Sequence, residues 1–278
     1  MMFEAEFWAN QMGKLWASHA DALDRQLEPA GIAGLEALKP QRGEKILDLG
    51  CGSGSTTVKI CEAVGSGGMV TGIDISEDQL AIARSRAGNE RADFLLGDAQ
   101  SWPFEPETFD ALYSRFGCMF FEDANAAYAN LQSALRPDAR VALVAWRELS
   151  LNPWAAIPAA VGVEILGPAK PSQAGTPGPF AWGEPSVFRP ILEGAGFRKV
   201  SWSEVRIVLQ IGEQTPDDPV KRGLDMLMRV GPLARRLRES SDDERGAVAS
   251  RLAPKLKTFV KEGWVRIPGR IWVIQAQK

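Results

Sequence analysis

Three glycines within five positions are the strongest chemical signal in this sequence. Gly50, Gly52 and Gly54 directly follow the strand-like segment 44–49, and a helix is predicted after them. Glycine loses much conformational entropy on folding, so such a turn makes sense where the backbone must bend sharply and come close to a ligand. The sequence therefore predicts a strand, a glycine turn and a helix that bind a nucleotide-like group.

Two acids stand at the ends of the next two predicted strands. Asp74 closes segment 69–74, and Asp98 follows segment 92–96. A carboxylate at the end of the second strand of an open α/β sheet can accept hydrogen bonds from two ribose hydroxyls. Asp98 could accept one from an adenine amino group. A dinucleotide fits less well, because the Gly-x-Gly-x-x-Gly pattern that starts at residue 50 would end at Ser55.

Segments 47–54, 72–76 and 97–99 together resemble, in order and spacing, the motifs of the class I S-adenosylmethionine-dependent methyltransferases, in the small-molecule, methyltransferase type 11-like branch. The resemblance implies a transferase with S-adenosyl-L-methionine as cofactor. In that family the glycine turn contacts the methionine part of the cofactor, the acid after strand two binds the ribose, and the acid after strand three binds adenine. The cofactor-binding residues expected from this resemblance are Asp48, Gly50, Gly52, Asp74, Ile75, Asp98 and Ala99. Arg115, after the fourth predicted strand, is a further candidate to contact the cofactor or an anionic substrate group, with an ordinary surface ion pair as the alternative.

The elements that must position these residues alternate between strands and helices up to about residue 147. Later, segments 200–210 and 269–275 are predicted to pair as an antiparallel final hairpin. We therefore expect an α/β fold with a Rossmann-like, doubly wound, seven-stranded sheet. The sheet should be mostly parallel, with an antiparallel final strand and helical cap insertions. One turn departs from the family, which usually has Pro-Gly-Gly where this chain has Pro-Asp-Ala at 137–139.

Four regions are expected along the chain. Residues 1–40 have apolar side chains at helical spacing and are interpreted as an N-terminal helical cover over the cofactor mouth. Residues 41–150 form the S-adenosylmethionine-binding core. Residues 151–185, which are rich in proline and glycine, are interpreted as a lid or shaping loop. Residues 186–278 complete the core and contain a helical cap insertion at about 215–262.

Large side chains follow the fourth predicted strand and recur in the predicted lid. Rigid aromatic side chains make flat apolar pocket walls, although such residues also form ordinary core. The candidate acceptor-binding residues are Phe116, Met119, Phe120, Trp154 and Trp182. They favour a small apolar or aromatic acceptor that is methylated on oxygen, nitrogen or carbon. Several nitrogen-methylating relatives have an acidic or Asn-Pro-Pro-Tyr motif where this chain has Ser-Arg-Phe-Gly at 114–117, which argues against methylation of nucleic acids or protein amides.

His19 is the only histidine in the chain. Histidine is the side chain whose ordinary pKa lies near neutrality, so His19 is the candidate catalytic base, with a solvated helix residue as the alternative. A dedicated base is optional, because methyl transfer gains much of its rate from positioning alone. The single histidine and three cysteines without a CxxC pair predict free thiols and no metal site.

Composition narrows the class of protein. The 278 residues have a net charge of -3 with acids and bases mixed along the chain, so we expect no nucleic-acid partner. The longest apolar run, 141–146, is far shorter than the ~20 residues of a membrane span. We expect a cytoplasmic monomer or homodimer that acts on a small molecule. The alternatives are a nicotinamide-dependent oxidoreductase and a non-catalytic, cofactor-binding regulatory protein.

Overall fold

The computed structural model describes residues 8–88, 91–169 and 176–278. The first seven residues of the predicted cover and residues 170–175 of the predicted lid lie outside this part of the chain. The described residues form one mixed sheet with helices on both faces.

The first five strands of the sheet are parallel: β1 (Lys45–Leu49), β2 (Met69–Asp74), β3 (Ala92–Leu96), β4 (Phe109–Arg115) and β5 (Leu135–Trp146). The remaining strands are β6 (Arg198–Ile211), β7 (Val260–Lys261) and β8 (Trp264–Gln277). Their order is β3-β2-β1-β4-β5-β8-β6, and β8 runs antiparallel to both of its neighbours. The predicted seven-stranded sheet with an antiparallel final strand is confirmed, and the two-residue strand β7 adds a small hairpin with β8.

The strands are apolar on both faces because helices cover both sides of the sheet. Leu47 and Leu112 belong to the larger buried cluster on one face. Their neighbours in sequence, Ile46 and Ala111, belong to a smaller cluster on the other. Because β1 to β4 are parallel, their carboxyl ends lie along one edge of the sheet.

Helices α1 (Gly13–Ser18) and α2 (Ala20–Leu38) form the N-terminal cover. A π-helical turn, Trp8–Met12, precedes them. Helix α2 packs against β4, β5, β6 and β8, and its side chains Leu23 and Leu27 are buried in the larger cluster. Helices are thus observed in the described part of the predicted cover.

Three helices connect the parallel strands: α3 (Ser55–Val64), α4 (Glu77–Ala87) and α5 (Ala124–Ala134). Side-chain caps begin two of them, because Ser76 accepts from the Gln79 N–H at 3.4 Å and Asp123 accepts from the Ala126 N–H at 3.0 Å. In the turn that departs from the family, Asp138 has φ +63°, a left-handed conformation that aspartate tolerates better than most residues.

The helical cap and its neighbours consist of α6 (Pro153–Leu166), α7 (Pro185–Gly194), α8 (Pro219–Arg229), α9 (Ala234–Arg238) and α10 (Asp242–Lys257). Helix α10 packs on α6 and α8, so the predicted insertion at 215–262 is helical. The interpretation of residues 151–185 as a loop is wrong for its first half, which forms α6. Proline at the first helical position is favourable there, because its missing N–H would have no intrahelical partner.

In the described ranges no helix combines the length and apolarity that crossing a bilayer would require. The same ranges contain no group of three or more histidine, cysteine, aspartate or glutamate residues that could hold a metal ion. Cys51, Cys61 and Cys118 are buried, and no disulfide joins them.

Candidate active site

The glycine turn lies at the carboxyl end of β1. The N–H groups of Gly50 and Cys51 donate to the Ile73 carbonyl at 2.9 and 3.2 Å, which joins the turn to β2. Gly50 and Gly52 have φ values of +64° and +54°, a region that glycine adopts without steric cost.

The glycines of this turn also permit close packing within the protein. A Cβ atom at Gly50 would lie 2.8 Å from the Cα atom of Gly117, just beyond β4. A Cβ atom at Gly52 would lie 2.9 Å from Gln79 Oε1 in α4. The turn is therefore constrained by its neighbours, in addition to the ligand approach that the sequence predicts.

Asp74 links the glycine turn to the start of α4. Its Oδ2 accepts from the Gly52 N–H and its Oδ1 from the Ser76 N–H, each at 2.9 Å. Burial raises the pKa of Asp74, although the N–H groups of Ser76, Gly52 and Ile75 act to lower it. A carboxylate has about four lone-pair positions, so Asp74 can still accept from a ligand.

Asp98 lies at the same edge of the sheet, because β2 and β3 are parallel neighbours with Asp74 paired to Leu96. Its Oδ1 accepts from the Gln100 N–H at 2.9 Å. The next residue, Ala99, is buried, while Asp98 and Ile75 are partly buried. The structure thus brings together the residues that the sequence predicts for ribose and adenine.

Asp48 is 1% exposed and lies in β1, two residues before the turn. Its Oδ2 accepts from the hydroxyls of Thr57 and Thr56 at 2.7 and 3.1 Å. Burial raises the pKa of Asp48 to about 6, although the two threonines act to lower it. Its other oxygen, Oδ1, is buried and has no hydrogen-bond donor among the described residues.

Asp24, in α2, is a site residue that sequence reasoning missed. It accepts from the hydroxyls of Ser53 and Ser55 at 2.7 Å each and from Arg115 Nη2 at 2.8 Å, and it forms an ion pair with Arg86. Burial acts to raise the pKa of Asp24, but Arg115 and the hydrogen bonds of the other three residues lower it to about 2. We call these five residues the Asp24 network. No local motif around residue 24 indicates it.

Arg115 contributes to this network from the carboxyl end of β4. Its side chain is 12% exposed and also donates to the Ser55 hydroxyl at 3.0 Å. Arg115 and Asp24 line a cleft of about 250 Å³ together with Thr56 and Lys59 of α3. The cleft therefore lies between the N-terminal cover and the helix that follows the glycine turn.

Phe116 and Trp154 belong to a group of contacting rings that we call the aromatic layer: Phe116, Trp146, Trp154 and Phe180. Phe116 has φ +68°, and its ring stacks on Trp146 with centroids 4.3 Å apart and planes 7° from parallel. The Trp146 and Trp154 centroids are 4.9 Å apart, and those of Trp154 and Phe180 are 6.0 Å apart. The layer begins at the ends of β4 and β5, beside the glycine turn.

The other predicted acceptor residues lie nearby. Met119 and Trp182 line a smaller, mainly apolar cavity of about 50 Å³ with Phe121 and Ile191. Phe120 is partly buried and packs against the larger cluster. The predicted acceptor residues therefore fall into two groups, the aromatic layer and this cavity, with Phe120 against the core between β4 and α5.

His19 lies between α1 and α2. Its Nδ1 is 2.6 Å from Oε1 of Glu213, which follows β6, and its side chain is 14% exposed. This contact joins the N-terminal cover to the chain that leads into the helical cap. A catalytic role for His19 stays a prediction.

Residues 46–138 match the family model described as a methyltransferase domain. The chain is 31% identical over 177 residues to nocamycin O-methyltransferase of Saccharothrix syringae, a match that covers 60% of this chain and 63% of that protein. It is 33% identical over 108 residues to demethylmenaquinone methyltransferase of Staphylococcus epidermidis, and this match covers 38% of this chain and 45% of that protein. The matches thus span less than two thirds of either relative.

Among solved structures, a similar fold is found in phosphoethanolamine N-methyltransferase 2 of Haemonchus contortus, in complex with phosphomonomethylethanolamine and S-adenosylhomocysteine. The TM-score is 0.60 at 16% identity, with coverage of 100% of this chain and 61% of that one. The YcgJ protein of Bacillus subtilis gives a TM-score of 0.58 at 16% identity, and the match covers 90% of this chain and 98% of that one. At such identities the likeness concerns the fold alone.

Proposed function

The chain belongs to the class I S-adenosylmethionine-dependent methyltransferases, and we propose that it methylates an oxygen, nitrogen or carbon atom of a small apolar or aromatic molecule. The observation that carries this proposal is the meeting of the glycine turn, Asp74 and Asp98 at one edge of the sheet, beside the aromatic layer. Two relatives are named as methyltransferases of nocamycin and demethylmenaquinone, which supports a small-molecule acceptor.

Asp48 provides a physical test of whether this site suits the cofactor. Its Oδ1 is a buried acceptor to which no described residue donates, and an unpaired buried acceptor costs about 1–3 kcal/mol. S-adenosylmethionine has an ammonium group on its methionine part, and such a donor would satisfy this oxygen. Asp74 retains lone pairs for the ribose hydroxyls, so the residues present fit the cofactor. Those that would hold it are Asp48, Gly50, Gly52, Asp74, Ile75, Asp98, Ala99 and Arg115.

When bound, S-adenosylmethionine would supply an electrophilic methyl group: the acceptor atom would bond to the methyl carbon in line as the carbon–sulfur bond breaks and S-adenosylhomocysteine leaves. The chain contributes mainly by positioning and by excluding water. The Asp24 network holds the N-terminal cover against the glycine turn, and the aromatic layer forms an apolar wall at the ends of β4 and β5.

His19 is the proposed base for an acceptor that must lose a proton. A carboxylate at Nδ1 favours the tautomer with its proton on that nitrogen, and Glu213 occupies this position. The other ring nitrogen, Nε2, is then the atom that takes the proton.

Calorimetric titration with S-adenosylmethionine, S-adenosylhomocysteine and NAD tests the cofactor. We expect micromolar binding of the first two, and Asp74→Ala should weaken it at least roughly tenfold, about 1.4 kcal/mol. The matched control is Asp93→Ala, which removes an exposed acid from β3 and should leave binding unchanged. Binding of NAD alone, or an Asp74→Ala variant that binds like the parent, would contradict the assignment.

A transfer assay then separates an enzyme from a regulatory protein. The methyl-labelled cofactor is incubated with a panel of phenols, amines and activated carbon acids, and labelled products are counted. We expect transfer to at least one aromatic acceptor. Tight cofactor binding without transfer to any member would favour the non-catalytic alternative.

We also propose a cytoplasmic monomer or homodimer that acts without nucleic acid. The net charge of -3, with acids and bases mixed along the sequence, argues against a partner with a phosphate backbone, and three cysteines without a disulfide suit a reducing compartment. Size-exclusion chromatography with light scattering measures the oligomeric state.

A further inference from the structure

Trp154 has a polar group that the described residues do not satisfy. The residue is 8% exposed, and its indole Nε1–H is buried without an acceptor in residues 8–88, 91–169 and 176–278. Native proteins pair the large majority of their buried polar atoms, because an unpaired donor has lost its water without a replacement. Such a donor is open to a partner that lies outside the described residues.

The position of Trp154 connects this donor to the candidate active site. Its ring contacts Trp146, which stacks on Phe116 at the end of β4. The following residue, Gly117, packs against Gly50 of the glycine turn. Two ring contacts therefore separate the unpaired N–H from the residues that border the turn.

The start of α6 adds a second, independent feature. Trp154 is the second residue of this 14-residue helix, whose N-cap Asn152 forms no side-chain hydrogen bond to it. The Asn152 amide instead donates to three carbonyls, including those of Arg147 and Arg270, and accepts from the Arg270 N–H at 2.9 Å. The partial positive charge of the helix start is thus not offset by a side-chain cap, which favours an electron-rich oxygen nearby.

We propose that Trp154 donates its indole N–H to an oxygen of the methyl acceptor, and that the acceptor is a planar arene bearing this oxygen, such as a phenol or a quinol. The flat rings of the aromatic layer match a planar molecule, the N–H matches an oxygen, and the helix start favours a phenolate. This inference rests on the proposed methyltransferase function and specifies its substrate class.

The test compares two probes of the same shape, 1-naphthol and naphthalene, by calorimetry with S-adenosylhomocysteine present. The parent should bind 1-naphthol more tightly. Trp154→Phe keeps a ring but removes the N–H, so it should reduce the ratio of the two affinities roughly five- to tenfold, the effect of one lost neutral hydrogen bond. Its melting temperature should not fall through loss of a hydrogen bond, because no described residue accepts from this N–H.

Trp272→Phe is the matched control. Trp272 is also 8% exposed, but its indole N–H donates to the Gly183 carbonyl at 2.8 Å. The same substitution there removes a satisfied donor, so it should lower the melting temperature and leave the affinity ratio unchanged. The two variants therefore separate a ligand-directed N–H from a structural one.

Several outcomes would overturn the inference. The first is a parent protein that does not bind 1-naphthol, or that does not bind it more tightly than naphthalene. The second is a Trp154→Phe variant with the same affinity ratio as the parent, and the third is a Trp272→Phe variant whose affinity ratio falls as much as that of Trp154→Phe. The measurements on the parent remain decisive even if Trp154→Phe does not fold. Binding of S-adenosylmethionine is measured separately: its absence contradicts the proposed function, whereas normal binding with an unchanged ratio contradicts only the role of Trp154.

Discussion

Replacing Asp24 with asparagine should destabilise the protein by about 2 kcal/mol at neutral pH. Asparagine keeps the shape of the side chain but removes the charge that faces Arg115 and Arg86. The pKa of Asp24 is lowered from 3.8 to about 2, and each pKa unit corresponds to about 1.4 kcal/mol. The side chain is only 15% exposed, so solvent screens this interaction less than it would a surface pair.

The sign of the pH dependence follows from this lowered pKa. Above pH 4 the unfolded chain and the folded protein both have an ionised Asp24, and its full contribution is present. As the pH falls from about 4 to 2, the unfolded state takes up the proton first and the contribution is lost, with about half remaining at pH 3. The parent and Asp24→Asn should therefore differ most at neutral pH and converge in acid.

Urea unfolding followed by circular dichroism at pH 7, 5 and 3 measures this difference. Asp21→Asn is the matched control, because Asp21 pairs with the same Arg86 at 2.6 Å but its side chain is 93% exposed. Its effect should stay within about 0.5 kcal/mol. Three results would refute this role of Asp24: an Asp24→Asn variant as stable as the parent at pH 7, a difference in unfolding free energy that does not shrink at pH 3, or an equal loss of stability in Asp24→Asn and Asp21→Asn.

Three further predictions concern the turn and the base. Gly50→Ala should lower the free energy of unfolding by about 2 kcal/mol or more, because φ is +64° and the new Cβ would meet the backbone beyond β4. The control Gly43→Ala has φ +84° but nothing within 4 Å of the new Cβ, so thermal unfolding should show a loss of about 1 kcal/mol. Asp48→Asn should stabilise the cofactor-free protein by about 1–2 kcal/mol at pH 7 but not at pH 4. The pKa of Asp48 is raised to about 6, so the stability of the parent falls as the pH rises from about 4 to 6. Calorimetry should show that the variant binds the cofactor more weakly than the parent. His19→Ala should lower kcat more than it lowers cofactor affinity. If Glu213→Gln and His19→Ala both leave kcat unchanged across the pH range, the His19–Glu213 pair is only structural.

Which segments form strands, and which edge of the sheet holds the candidate site, could be predicted from local sequence. Segments 45–49 and 69–74 are strands bounded by turn residues, and parallel strands joined by helices must place their carboxyl ends together. The position of Asp74 and Asp98 beside the glycine turn follows from that geometry. These elements are predictable because each depends on a repeat or a turn within a few residues.

The segment 151–185 shows where the prediction failed. Pro153 and Pro158 suggest a loop by composition, yet 153–166 is helical. Proline is compatible with the first position of a helix, and packing of this apolar segment against α10 and β8 outweighs the cost of the second proline. Burial of that kind depends on elements that begin far later in the chain, at residues 242 and 264, so it has no local signal.

By itself the sequence determined the strands of the cofactor half, the glycine turn and the acids at the strand ends, since backbone conformation and the two-residue period of strands are local properties. Only the tertiary structure decided that Asp24 meets the turn, that His19 meets Glu213 and that the Trp154 N–H has no acceptor in the described chain. Each of these depends on how helices dock against the sheet. Docking is determined by the summed packing of many side chains that are distant in sequence, and no single motif encodes that sum.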